Sequence, residues 1–232
     1  MMENGLLVVS HSGAYREQGF LQWLQEQGIP VCLIDAQGWE GTSCYCSPEA
    51  AKAIGEALPK ELPPVRWIDS GDYHYMSYLL SLREKEPFSL VLLDHHPDDQ
   101  DPAFGPVLSC GSWVKWARQE NPMLEDVLTI GPEGCPQDIP EGWLEGRGRL
   151  YVSLDKDIMS PEWARTGWSQ GEHTLPKVLD ILRRLAGTGK VVALDICGEL
   201  TESQGARGED LRINKETNIE LYKFTTTYLK QY

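Results

Sequence analysis

Asp94, His96 and Asp98 occupy alternate positions in the run Asp94-His95-His96-Pro97-Asp98. Side chains at alternate positions of an extended chain point the same way. The three therefore aim an oxygen, a nitrogen and an oxygen at one point, a set that suits a divalent cation. A solvated acidic loop turned by Pro97 fits the same letters. His95 faces the opposite side and reads as packing. Three further stretches share this polarity: Asp69-Ser70-Gly71-Asp72-Tyr73-His74, Ser153-Leu154-Asp155-Lys156-Asp157 and Asp195-Ile196-Cys197-Gly198-Glu199. Together they supply two histidines and at least four carboxylates, donors for a pair of hard or borderline ions such as Mn²⁺, with no thiolate cluster to compete for zinc.

Each stretch ends an apolar run of strand length, the signature of a strand buried on both faces of a parallel sheet. Strands are expected at 5–10, 31–35, 65–69, 88–94, 127–131, 150–155 and 190–195. Between them, helical signals run from Ala14 to Gln27, from Pro48 behind a Ser47 cap to about Leu58, and from Tyr73 to Lys85. Others cover Ser112–Gln119, Leu175–Ala186 and Lys215–Lys230, with loops at 158–174 and 198–213. Strict alternation predicts a single α/β domain over 1–232, a three-layer α/β/α arrangement around a mostly parallel sheet of about eight strands. In such sheets ligands bind beyond the carboxyl ends of the strands. The four polar stretches, far apart in sequence, are thus expected along one edge.

The formal net charge of −14 disfavours nucleic-acid and membrane surfaces and suits divalent cations or a small cationic substrate. Six cysteines form no CxxC pair, the opening residues lack a basic flank, and no apolar stretch approaches the roughly 20 residues of a membrane span. A cytoplasmic protein with reduced thiols is the expectation; self-association into a homo-oligomer is left open. Cys44 and Cys46 read as an inert loop pair.

Taken together, the motifs resemble those of the arginase/agmatinase (ureohydrolase) family. Tyr151-Val-Ser-Leu-Asp-Lys-Asp-Ile-Met-Ser-Pro161 is similar to its SxDxDxxDP signature, Val192-Ala-Leu-Asp-Ile196 to its final GxDIxE strand, Asp94–Asp98 to its DxHxD motif, and Gly71-Asp-Tyr-His74 to a looser GGDHS. The match runs in order from residue 65 to 232. It implies an arginase-like fold and a binuclear manganese site with His74, Asp94, His96, Asp98, Asp155 and Asp157 as ligands. The implied reaction is hydrolysis of a C–N bond in a guanidino- or amide-type compound, with metal-activated hydroxide as nucleophile.

Departures are equally specific. Cys110-Gly111 stands where the family has His-Gly, Ser160 replaces the last aspartate of the signature, and the substrate-binding glutamate falls on Gly198 with Glu199 one place late. Glu199 is therefore expected to receive a cationic substrate group and His11, at the end of the first strand, to serve proton transfer. His173 is expected in solvent, while Trp163 and Trp168 either wall a pocket or pack their loop. Rival readings are a non-catalytic metal-binding relative, a DHH-type phosphoesterase, which lacks its aspartate-rich motif after the first strand, and a single-zinc deacetylase, which would not need six ligands.

Overall fold

The computed structural model describes residues 5–102 and 105–229. Its centre is a seven-stranded sheet. The strands are β1 (Leu6–Ser10), β2 (Val31–Asp35), β4 (Val65–Trp67), β5 (Phe88–Leu93), β7 (Leu124–Ile130), β8 (Arg149–Asp155) and β9 (Val191–Cys197). Their order is β2-β1-β4-β9-β8-β5-β7, with every pairing parallel. The sheet thus has seven strands, against an expectation of about eight. Two further strands, β3 (Tyr45–Cys46) and β6 (Leu108–Ser109), pair antiparallel in a separate ribbon.

Continuous apolar runs make the central strands two-sided. In β5, Val91 and Leu93 face one core while Phe88, Leu90 and Leu92 face the other. The first core packs against α2 (Phe20–Glu26), α6 (Leu175–Ala186) and α7 (Gly208–Tyr228) through Phe20, Leu24, Ile181, Leu185 and Leu221. The second packs against α3 (Pro48–Ala57), α4 (Met76–Ser81) and α5 (Trp113–Glu120) through Ile54, Met76, Leu80 and Trp113. Three layers result.

Two boundaries move from expectation for local reasons. The helix expected over 14–27 is split into α1 (Ala14–Glu17) and α2, because Gly19 takes φ 72° and ends the first turn. The closing helix starts at Gly208 rather than Lys215, the Asp210 carboxylate accepting a hydrogen bond from the Arg207 amide at 2.9 Å. Lys230, the expected last residue of that helix, lies outside the described residues. Among the described residues no helix is long and apolar enough to cross a membrane.

Candidate metal centre

The four strands that end in polar stretches are neighbours in the sheet, in the order β4-β9-β8-β5. Leu93 pairs with Leu154, so Asp94 and Asp155 leave the sheet side by side. His74 arrives differently. Beyond β4 the chain turns at Asp69 (φ 76°), whose carboxylate accepts from the amides of His11 (2.7 Å), Ser12 (2.9 Å) and Ser70 (2.7 Å). A 3-10 turn at Gly71–Tyr73 then carries His74 over the strand ends. Asp69 is thus a knot between β1 and β4, consumed by backbone donors.

His74 Nδ1 lies 3.2 Å from Asp94 Oδ2, 3.0 Å from Asp98 Oδ2 and 3.6 Å from Asp155 Oδ2. Its Nε2 meets Ser153 Oγ at 2.8 Å, which fixes the ring and turns Nδ1 to the carboxylates. On the other side of Asp94, His96 Nδ1 lies 2.8 Å from Asp157 Oδ2 and 3.6 Å from Asp94 Oδ1, while its Nε2 meets Ser169 Oγ at 2.9 Å. Asp94 therefore faces one histidine with each oxygen. Trp113 Nε1 donates to Asp98 Oδ2 at 2.6 Å and the His95 amide to Asp157 Oδ1 at 2.9 Å, holding both carboxylates in place.

The cluster is short of positive charge. Burial and neighbouring Asp157 push the Asp155 carboxyl up to about 6. Burial and Asp94 push Asp157 up to about 7 against the pull of His96. Hydrogen bonds to Asp157 and Asp94 raise His96 to about 10. Crowded, buried carboxylates that retain protons near neutrality are relieved by a cation. Asp94 Oδ2 is buried and has no hydrogen-bond partner, a cost normally avoided. Donors of His74, Asp94 and Asp98, and again of Asp94, His96 and Asp157, lie within 4.8 Å of one another. On both counts the residues fit divalent ions.

Above this floor opens a cavity of about 280 Å³, walled by Tyr45, Gln100, Asp101, Cys110 and Trp168. Trp168 donates to Asp72 at 2.9 Å and stays at the edge, 42% exposed, without filling the space. Trp163 packs on the core instead. His173 is tied to the Gln137 carbonyl at 3.0 Å rather than free in solvent.

Two expected site residues do not reach the cavity. Glu199 is fully buried on the far side of β8, accepting from Lys156 Nζ (2.6 Å), Asn218 Nδ2 (2.8 Å) and Gln18 Nε2 (3.2 Å). His11 is stacked beneath Tyr73, ring centroids 4.3 Å apart, and burial lowers it to about 4, so it is neutral at pH 7. Its backbone, not its ring, is what the fold uses. The Gly198 departure also has a reason: at φ 93° a Cβ there would stand 2.4 Å from Asp155 Oδ1.

Cys110, which stands where the resembled family has its histidine, does line the cavity, whereas the reading from sequence missed Cys44 and Tyr45 as wall residues, since a two-residue strand has no periodicity to betray it. It also passed over Cys197, whose thiol donates to Asp155 Oδ2 at 3.1 Å. Tyr45 pairs with Ser109 across the ribbon, which places Cys44 opposite Cys110, and the Cys110 amide donates to the Cys44 carbonyl at 2.9 Å.

No protein-family model matches the chain. An uncharacterised protein of Thermotoga maritima is 30% identical over 204 residues, covering 83% of this chain and 78% of the relative. Among solved structures, formimidoylglutamase of Bacillus subtilis superposes with a TM-score of 0.68 at 16% identity, over 99% of this chain and 88% of the other. Proclavaminate amidino hydrolase of Streptomyces clavuligerus gives 0.64 at 18% identity, covering 99% and 93%. Arginase of Bacillus caldovelox gives 0.62 at 13% identity, covering 94% and 97%.

Proposed function

This chain has the arginase/ureohydrolase fold, and from that premise we propose that it is a metal-dependent hydrolase of a C–N bond in a small, cationic guanidino- or amide-type compound. One observation carries the reading: Asp94, buried between two histidines, presents an oxygen to each at the floor of an open cavity. His74, Asp94, Asp98 and Asp155 would hold one divalent ion, and Asp94, His96 and Asp157 a second, with Mn²⁺ the proposed metal. Bound there, such ions supply Lewis acidity and lower the pKa of water.

The chain's own residues set the rest. Ser153 and Ser169 orient the two imidazoles, and Trp113 orients Asp98. Trp168 and Tyr45 shape an aromatic wall, and Asp101, ion-paired with Lys115, stands at the mouth. Burial, reinforced by Asp98 and Cys44, pushes the Cys110 thiol far above neutrality, so it does not shuttle protons. With His11 and Glu199 away from the cavity, proton delivery falls to solvent. Turnover is then slower by about 10²–10⁴-fold than with a positioned acid.

The test is metal analysis after Mn²⁺ loading, followed by a urea- and ammonia-release assay over guanidines, amidines and amides, with Asp155→Ala as control. Activity that disappears in the variant supports hydrolysis. Bound metal without turnover across the panel favours the second reading, a non-catalytic metal-binding relative, to which Cys110 in place of a histidine points.

A further inference from the structure

We propose that Cys197 is a thiolate ligand of the ion held at His74 and Asp155, and that this soft donor shifts that position from manganese towards zinc-class metals. The inference rests on the cation-binding reading above and concerns a donor outside its all-oxygen-and-nitrogen set.

Cys197 is the last residue of β9 and lies in register with Asp155 at the end of β8. It is fully buried, where a cysteine ordinarily acts as a small apolar side chain. Its Sγ nevertheless faces a carboxylate oxygen, Asp155 Oδ2, at 3.1 Å. A ring nitrogen of His74, that carboxylate and the sulfur all lie within 4.8 Å of one another.

A sulfur about 2.3 Å and an oxygen about 2.1 Å from one ion stand about 3.1 Å apart at right angles and about 3.6 Å apart at the tetrahedral angle, so the pair is within a few tenths of an ångström of ligand spacing. A second observation is independent of the sulfur. Asp94 Oδ2, 3.2 Å from His74 Nδ1, is buried and accepts no well-formed hydrogen bond. Gly198 lets β9 come this close, since any side chain there would collide with Asp155.

Nitrogen, carboxylate and thiolate donors together suit Zn²⁺ or Co²⁺ better than Mn²⁺, which prefers oxygen. Ligation exchanges the thiol proton for the metal, so one proton per chain is released to solvent as the sulfur–metal bond forms.

The experiment titrates the full chain with Co²⁺ and follows near-ultraviolet absorption, where thiolate-to-cobalt charge transfer appears, with bound metal counted by elemental analysis. The expected result is a charge-transfer band in the native protein that persists in Cys44→Ser/Cys110→Ser, the two cavity-wall cysteines, and vanishes in Cys197→Ser. In Zn²⁺/Mn²⁺ competition, Cys197→Ser should lose roughly tenfold to a hundredfold of the zinc preference. Stoichiometric Co²⁺ without the band, or a band lost with Cys44 and Cys110, overturns the thiolate while leaving the metal site standing. Retention of neither Co²⁺ nor Mn²⁺ by the folded native protein overturns both. If the Cys197 variant does not fold, the Cys44→Ser/Cys110→Ser spectrum decides: a band that persists there supports Cys197, and a band lost there overturns it.

Discussion

The two sides of the short segment 155–157 differ in electrostatic completeness. Asp155 and Asp157 point into the cavity, where carboxylates crowd two histidines and one buried oxygen accepts no well-formed hydrogen bond. Lys156, between them, points the other way into a closed network with Glu199 and Asn218. Lys156 and Glu199 are both fully buried, yet each is paired. The 3-10 turn over Lys156–Ile158, capped by Asp155, thus sorts one stretch into a side that is finished and a side that is not. The unfinished side is the one proposed to bind metal. Glu199, the residue most easily mistaken for a substrate contact, belongs to the finished side.

The sharpest way to break this contrast is Asp94→Asn. It removes the carboxylate that serves both histidines and should weaken divalent metal binding by more than about 10²-fold, measured by equilibrium dialysis, with the fold intact by circular dichroism. On the other side, Lys156→Met leaves Glu199 buried and unpaired. A loss of about 3–5 kcal/mol in denaturant unfolding is expected, largely restored in Lys156→Met/Glu199→Leu, with metal content per folded chain unchanged. A double variant that folds but binds no metal would show the two sides to be coupled.

A finer test is Ser153→Ala, which frees the His74 ring without removing a donor; metal affinity should drop about 10–100-fold. The smallest effect is on pH dependence. The folded carboxyls of Asp155 and Asp157 sit at about 6 and about 7, above their unfolded values, so their share of stability is complete below pH about 4 and is lost as pH rises through 6–7. His96, raised to about 10, declines in the same direction. His11, lowered to about 4, runs oppositely, its stability present above pH about 6.5 and lost as pH falls through 4. The rise in melting temperature on adding Mn²⁺ should therefore be larger near pH 8 than near pH 5.5; an equal rise at both would contradict a carboxylate-driven site.

The sheet was legible because strands buried on both faces must be apolar throughout, and the residue that ends such a run stands at the sheet edge. That made Asp94 and Asp155 visible as neighbours before any pairing was known. The alternation of 94, 96 and 98 picked out three residues of the site but not their arrangement: the chain bends at 95 and 96, Asp98 is left-handed (φ 49°), and His96 and Asp98 face different partners, Asp157 and His74, on either side of Asp94. What stayed hidden depends on small displacements. Glu199 is one residue from the position that would face the cavity, and only the left-handed turn at Gly198 decides which way it goes. The split at Gly19 interrupts a pattern that still reads as one helix. Cys197 in an apolar strand is indistinguishable by sequence from a core residue until its partner on β8 is known. The ribbon of Tyr45–Cys46 with Leu108–Ser109 brings together segments too short to signal themselves.

The strand order has a consequence for how the molecule comes into being. β9 is the last strand of the described chain, yet it is inserted between β4 and β8 in the middle of the sheet. On a ribosome, the first 190 residues therefore present two half-sheets with open inner edges, and the donors of residues 74–98 have no counterpart beside β4. Such long-range parallel pairing is slow to form and exposes aggregation-prone edges while it waits. A cation that needs both halves acts after the final insertion, as a latch on a finished sheet rather than a nucleus for it. Refolding rate should accordingly be indifferent to metal, and only the rate of unfolding should slow.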